Sequence, residues 1–238
     1  MKYKTKIEKV EMELINNNQI LELQQHPSIK KAAVLLKKGE VVAFPTETVY
    51  GLGAVATYEN SVRKIFLAKG RPADNPLIVH IATLEQLEQT MSGVLSKLAK
   101  KLIEKFWPGP LTLIVPKSEI IPAYTTAGLD TVAVRMPSHP LTLALIKTVG
   151  MPLAAPSANK SGSPSTTRAE HVMEDLKGNI PLILDGGPCQ VGVESTVVDV
   201  RKNKINILRP GGITRERLNM VVQEKSDKLK KKLKKSSV

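Results

Sequence analysis

The chain has 238 residues, 42% apolar but only 3% aromatic, and its 35 Lys and Arg against 22 Asp and Glu give a formal net charge of +13. That length supports one large α/β domain or two small ones with a core of Val, Ile, Leu and Ala, while the scarcity of aromatics argues against a single-strand-binding surface built on base stacking. One cysteine, Cys189, excludes an intramolecular disulfide framework, four histidines without ligand spacing argue against a protein-caged transition metal, and the absence of a long apolar run predicts a cytoplasmic protein with no membrane partner.

Residues 1–27 are polar and mixed and are expected to form an N-terminal extension, with an edge-strand alternation at Tyr3–Val10 and a turn at Asn16–Asn18. Ser28 is placed as the N-cap of a helix through Lys38 that Gly39 stops, with Ile29, Ala32, Ala33 and Leu36 on one face. Val41–Phe44 is wholly apolar, as a strand buried on both faces requires. It opens into Pro45–Gly53, PTETVYGLG, read as a Thr- and Gly-rich loop that presents amides and hydroxyls to a ligand. Neither the third glycine of the dinucleotide fingerprint nor the Lys-Ser/Thr pair of a phosphate loop is present.

A helix over Ser61–Ala68 leads into Lys69–Pro76, KGRPADNP. Two cations one residue apart are followed by two prolines that fix φ and remove donors, so the segment reads as a rigid loop. A guanidinium clamps phosphate bidentately and an ammonium adds a compact charge, which suits Lys69 and Arg71 to a polyphosphate or carboxylate. Taken alone, such a pair more often belongs to a solvated basic loop.

Leu77–Ile81 reads as a strand carrying His80. Leu84–Met91 and Val94–Phe106 read as helices, Leu111–Val115 as a strand, and residues 116–130 as a long connection. Thr131–Met136 alternates as a strand with Arg135 among Val and Ala, a costly placement without an anionic partner. A structural ion pair with a nearby acid is the simplest answer from the strand alone. After a helix at Leu141–Val149, the short strand Pro152–Ala155 runs into PSANKSGSPS, Pro156–Ser165, a hydroxyl-rich loop before a helix capped near Thr167 whose N-terminus suits an anion. Strands at Leu182–Leu184, Ser195–Val200 and Ile205–Leu208 follow, the last ending at Arg209, and Thr214 caps a final helix. The segment 221–238 holds seven Lys against Glu224 and Asp227 and reads as a solvated basic tail.

Seven segments in this order, FPTETVYGLG (Phe44–Gly53), KGRPADNPL (Lys69–Leu77), FWPGPLT (Phe106–Thr112), VAVRMP (Val132–Pro137), APSANKSGSPS (Ala155–Ser165), ESTVVD (Glu194–Asp199) and RPGGIT (Arg209–Thr214), resemble the YrdC-like domain of threonylcarbamoyl-AMP synthases. The resemblance covers residues 28–215 and implies a single α/β catalytic domain, set at 28–220, with a twisted mixed sheet flanked by helices and a concave ligand face. The N-terminus resembles that of longer members, which add a linker and a small C-terminal domain; this chain is expected to stop before it.

The resemblance implies condensation of L-threonine, bicarbonate and ATP to threonylcarbamoyl-AMP and pyrophosphate. A downstream transferase system would carry the group to the tRNA adenosine beside the anticodon, with weak tRNA contact through the basic surface. It implies that Lys69 and Arg71 are catalytic and hold ATP together with Asn75, Thr131, Ser157, Asn159, Ser165 and Arg209. It places Thr48, His80, Arg135, Ala155 and Ser195 around threonine, whose carboxylate would then supply the anion that Arg135 lacks. Mg²⁺ is expected on the ATP phosphates without protein ligands, and His80 stands as a candidate base. An RNA-binding module using the same basic concavity, and a relative that carbamoylates another acceptor, are the competing readings.

Overall fold

Residues 3–16, 19–202 and 204–221 are described by a computed structural model; the basic tail at 222–238 and two residues of the expected Asn16–Asn18 turn lie outside the described residues. Ten strands form one mixed sheet in the order β1-β8-β2-β3-β7-β4-β6-β5-β9-β10. In chain order these are β1 (Lys6–Lys9), β2 (Val42–Phe44), β3 (Gly51–Val55), β4 (Ile78–His80), β5 (Leu111–Pro116), β6 (Thr131–Arg135), β7 (Leu153–Ala154), β8 (Leu182–Asp185), β9 (Thr196–Asp199) and β10 (Asn206–Arg209). The helices are α1 (Met12–Asn16), α2 (Ile20–Gln25), α3 (Pro27–Lys37), α4 (Glu59–Lys69), α5 (Leu84–Thr90), α6 (Lys97–Phe106), α7 (Pro140–Val149) and α8 (Ala169–Leu176), with a further helical segment at 215–221 whose first turn Thr214 caps.

The uninterrupted apolar run at β2 became a central strand, and both β2 and its neighbour β3 are buried along their whole length. The edges differ, since β1 and β10 keep mostly exposed or half-buried side chains. On one face α2, α3 and α7 pack together, with α3 also lying against β2, β3 and β8. The apolar face expected of α3, Ile29, Ala32, Ala33 and Leu36, is buried in the single core cluster.

Several local readings change. The stretch Gly51–Gly53, expected as loop, is the first half of β3, hydrogen-bonded antiparallel to β2. Its glycine is sterically required: a Cβ on Gly53 would strike the ring of Phe44 across the strand pair. Helix α3 begins one residue before Ser28, and its cap is the His26 imidazole, whose Nδ1 accepts from the Ser28 amide at 3.2 Å. Helix α6 starts at Lys97 rather than Val94 because Ser96 caps it through the Ala99 amide. Residues 3–27, expected as an extension, supply β1, parallel to β8 in the same sheet, and helices α1 and α2.

Candidate active site

Sheet register assembles the site. β4 and β6 run parallel with His80 opposite Arg135, β5 places Thr112 opposite Arg135, and β9 pairs Thr196 with Leu111. Ser195, Thr112, Arg135 and His80 therefore form a row across neighbouring strand ends, all of them buried. Above that row lies an open cavity of about 350 Å³, lined on its other sides by Thr46, Thr48–Gly51, Arg71, Asn75–Ile78, Ala155–Ser157, Glu194 and Arg209. That volume suits a small ligand.

The inner end is lined by hydroxyls, one imidazole and one guanidinium. Arg135 is held by three oxygens: Nε donates to Gly109 O at 3.2 Å, Nη1 donates to Thr48 Oγ1 at 2.9 Å, and Nη2 lies 2.6 Å from Glu47 Oε1. This last approach is a buried ion pair. Arg135 thus has the internal anionic partner that an ion pair in the strand required, and the expectation that it lacked one is corrected. His80 Nδ1 sits 3.2 Å from Ile78 O. A carbonyl only accepts, so Nδ1 carries the hydrogen and Nε2 is an acceptor. Burial, with Arg135 adding, pushes this imidazole down to about 3, so it stays neutral. Ser195 Oγ pairs with Thr112 Oγ1 at 2.7 Å and accepts from Arg209 Nη2 at 3.1 Å.

The outer end is cationic. The end of α4 carries Lys69, and Gly70, in the left-handed region at φ 60°, turns the chain so that Arg71 enters the cavity lining. Lys69 is only 2% exposed. Its Nζ donates to Ser157 O at 2.6 Å, to Asn159 O and, at 3.5 Å, to Asn159 Oδ1. Burial, with Arg71 adding, pushes this ammonium down to about 8. Lys69 therefore pins the Ser157–Asn159 loop from behind. Asn159 extends the brace by donating to Lys160 O and Ser163 O, and accepts from Ser157 Oγ. Arg209 faces Glu194 at 3.9 Å, and Glu194 also accepts from Ser165 Oγ at 2.8 Å.

Of the residues singled out from sequence, Thr48, Arg71, Asn75, His80, Arg135, Ala155, Ser157, Ser195 and Arg209 line the cavity. Lys69 and Asn159 stand behind Ser157, and Ser165 reaches the lining through Glu194. Thr131 is at the far end of β6 from Arg135, paired with Pro116. The start of α8 is not in the lining, so the loop contributes Pro156 and Ser157 instead of a helix N-terminus. Sequence reading passed over Glu47, Glu194 and Thr112. The signal for Glu47 was present: an acid inside PTETVY, flanked by buried threonines, calls for a buried cation.

A family model described as telomere recombination, covering Sua5, YciO and YrdC, matches residues 34–211. The chain belongs to the Sua5/YciO/YrdC family. Within it, a threonylcarbamoyl-AMP synthase of Bacillus subtilis is 58% identical over 197 residues, covering 82% of this chain and 57% of that protein. The crystal structure of Pyrococcus abyssi Sua5 complexed with L-threonine superposes with a TM-score of 0.80 at 50% identity, over 93% of this chain and 61% of that one. Escherichia coli YciO shares the fold at a TM-score of 0.73 and 20% identity, over 91% of this chain and 99% of that one. The chain thus spans little more than half the length of the first of these Sua5/YciO/YrdC relatives and nearly all of YciO. No helix among the described residues is long and apolar enough to cross a membrane.

Proposed function

We propose that this chain is an L-threonylcarbamoyladenylate synthase, condensing L-threonine, bicarbonate and ATP to threonylcarbamoyl-AMP and pyrophosphate. The observation that carries the reading is a cavity with two chemically distinct ends. One has the Arg135 guanidinium, held by Thr48 and Glu47, beside the His80 imidazole and the Ser195 hydroxyl; the other has Arg71 and Arg209 backed by Lys69. The synthase name of the Bacillus subtilis relative and the threonine complex of the Pyrococcus abyssi protein support it.

In this reading the threonine carboxylate is drawn to the Arg135 guanidinium, and Thr48, His80, Ser195 and the Ala155 backbone surround the rest of the molecule. ATP lies along Arg71, Asn75, Ser157 and Arg209, while Lys69, Asn159 and Ser165 brace these groups. The threonine ammonium gives one proton to solvent water through the open cavity; the free amine then attacks the bicarbonate carbon, a second amine proton leaves with the bicarbonate hydroxyl as water, and a carbamate oxygen attacks the α-phosphorus with departure of pyrophosphate. The protein's part is to align the reactants and to offset negative charge on the leaving group. Burial pushes the His80 imidazole down, which favours its neutral form, so in this reading His80 accepts a hydrogen bond from the ligand.

The lining fits a magnesium ion brought on the phosphates: Glu194 supplies one carboxylate there, and magnesium is commonly held by one or two carboxylates together with substrate phosphates and water. Bound there, the ion would neutralise phosphate charge next to Glu194. The product is a reactive mixed anhydride, which fits rapid hand-over in the cytoplasm to a system that modifies the tRNA adenosine beside the anticodon. The test incubates the protein with ATP, Mg²⁺, labelled bicarbonate and single amino acids. Pyrophosphate and a labelled adenylate are expected only when threonine and bicarbonate are both present, and to collapse in Arg71→Ala. Turnover that ignores threonine would overturn the reading, as would ATP binding without release under any amino acid.

A further inference from the structure

Glu47 lies outside the cavity lining, yet its charge acts on the inner end through Arg135, which is part of that lining. The two side chains are 4% and 9% exposed, so water screens the pair little. The carboxylate is also fixed in place. Its Oε2 accepts from the Ser138 amide at 3.1 Å, its own carbonyl accepts from Val191 N at 2.9 Å, and the next carbonyl, of Thr48, accepts from Gly192 N at 3.0 Å. The other titratable groups around it, His139 and Cys189, are held neutral by burial, His139 down to about 4 and Cys189 up to about 12. The negative charge of Glu47 is therefore matched by Arg135 alone among these groups.

The cavity's charge divides along its length. At the inner end Arg135 and Glu47 cancel and His80 is neutral; at the outer end Arg209 faces Glu194 at 3.9 Å while Lys69 and Arg71 have no carboxylate partner at salt-bridge distance among the described residues. Placing a ligand of net charge in a neutral, water-poor end leaves that charge uncompensated. A zwitterion is matched there: its carboxylate is drawn to the Arg135 guanidinium and its ammonium to acceptors such as Thr48 Oγ1 and His80 Nε2. We propose that Glu47 is a specificity-determining positioning residue, which cancels the charge of Arg135 so that the inner end takes a net-neutral, zwitterionic amino acid and leaves polyphosphate to the outer end. This rests on the amino-acid reading of that end.

The test measures binding to the full chain by calorimetry for three ligands of one shape: L-threonine, 3-hydroxybutyrate (no ammonium, net −1) and threoninol (no carboxylate, net +1). Wild type is expected to bind threonine at least tenfold more tightly than either analogue. Glu47→Gln keeps an oxygen for Arg135 and removes the charge; the ratio of threonine to 3-hydroxybutyrate affinity is expected to move at least tenfold toward the anion, with ATP affinity within twofold. A purely structural role would weaken both ligands together and leave the ratio unchanged. An unchanged ratio in folded Glu47→Gln overturns the inference and leaves the amino-acid reading standing, whereas wild type that binds ATP but none of the three overturns both. Should Glu47→Gln not fold, the wild-type series decides. Rejection of both analogues supports charge cancellation, and 3-hydroxybutyrate binding as tightly as threonine while threoninol is excluded is the behaviour of a lone cation and overturns it.

Discussion

Lys69 carries its ammonium at 2% exposure against carbonyl-type oxygens and no carboxylate. Removing it would strand the Ser157 and Asn159 carbonyls, each a buried acceptor losing its donor. Lys69→Ala is expected to lower stability by about 2–3 kcal/mol in urea unfolding, and to lower pyrophosphate release through the loosened Ser157 loop. Two imidazoles set the acid limit. His80 is pushed down to about 3 and His139 down to about 4, both by burial, against about 6.5 in an unfolded chain. As pH falls below about 6.5 the unfolded state takes up protons that the folded state refuses. Stability is therefore full above that pH and is lost on the way down toward 3–4, by up to about 1.4 kcal/mol per pH unit for each imidazole. Melting temperature should drop between pH 7 and 5, and His139→Asn should flatten the drop; a flat wild-type curve would contradict this.

Two glycines act on whole elements for different reasons. Gly53 has a strand conformation but faces the ring of Phe44, so Gly53→Ala must push β2 and β3 apart and is expected to cost about 1–3 kcal/mol in chemical denaturation. Gly70 has open space around its Cβ position but a φ of 60°, and Gly70→Ala is expected to cost about 1 kcal/mol from backbone strain at the end of α4. Gly70 obeys a local rule, since glycine takes the left-handed position that ends a helix whatever packs around it. Gly53 does not, because the ring that demands it comes from a neighbouring strand. The cap of α3 follows the same pattern: Ser28 fits the composition of a cap, but His26 occupies the position, and Pro27 starts the helix at its first turn.

At the scale of the whole molecule, the fold gathers cations from distant segments at one end of the cavity. The outer end of the cavity combines Arg71 and Arg209 in the lining with Lys69 behind them, and burial holds both arginines below their ordinary range while they stay charged. Mg·ATP at about a thousand times its Kd should stabilise the fold by about 4 kcal/mol, read as a rise in melting temperature. Raising salt from about 0.05 to 0.5 M should weaken ATP binding more than threonine binding, because the Arg135–Glu47 pair is shielded from ions and the outer end is open to them. Equal weakening of the two ligands would place both in the screened region.

The sequence by itself determined the α/β class, the buried central strands, the rigid cationic loop at Lys69–Pro76 and most of the lining residues, since apolar runs, proline constraints and ordered motifs are local properties of the chain. Tertiary structure alone decided three things: that Gly51–Val55 is a strand, that Lys69 braces the Ser157 loop from behind the cavity, and that Glu47 answers Arg135. Each depends on groups 7 to 90 residues apart in the chain that only the folded chain brings within contact. Pair distances of that kind leave no mark on the neighbouring sequence of either partner, because what selects each residue is the field and the space created by the other.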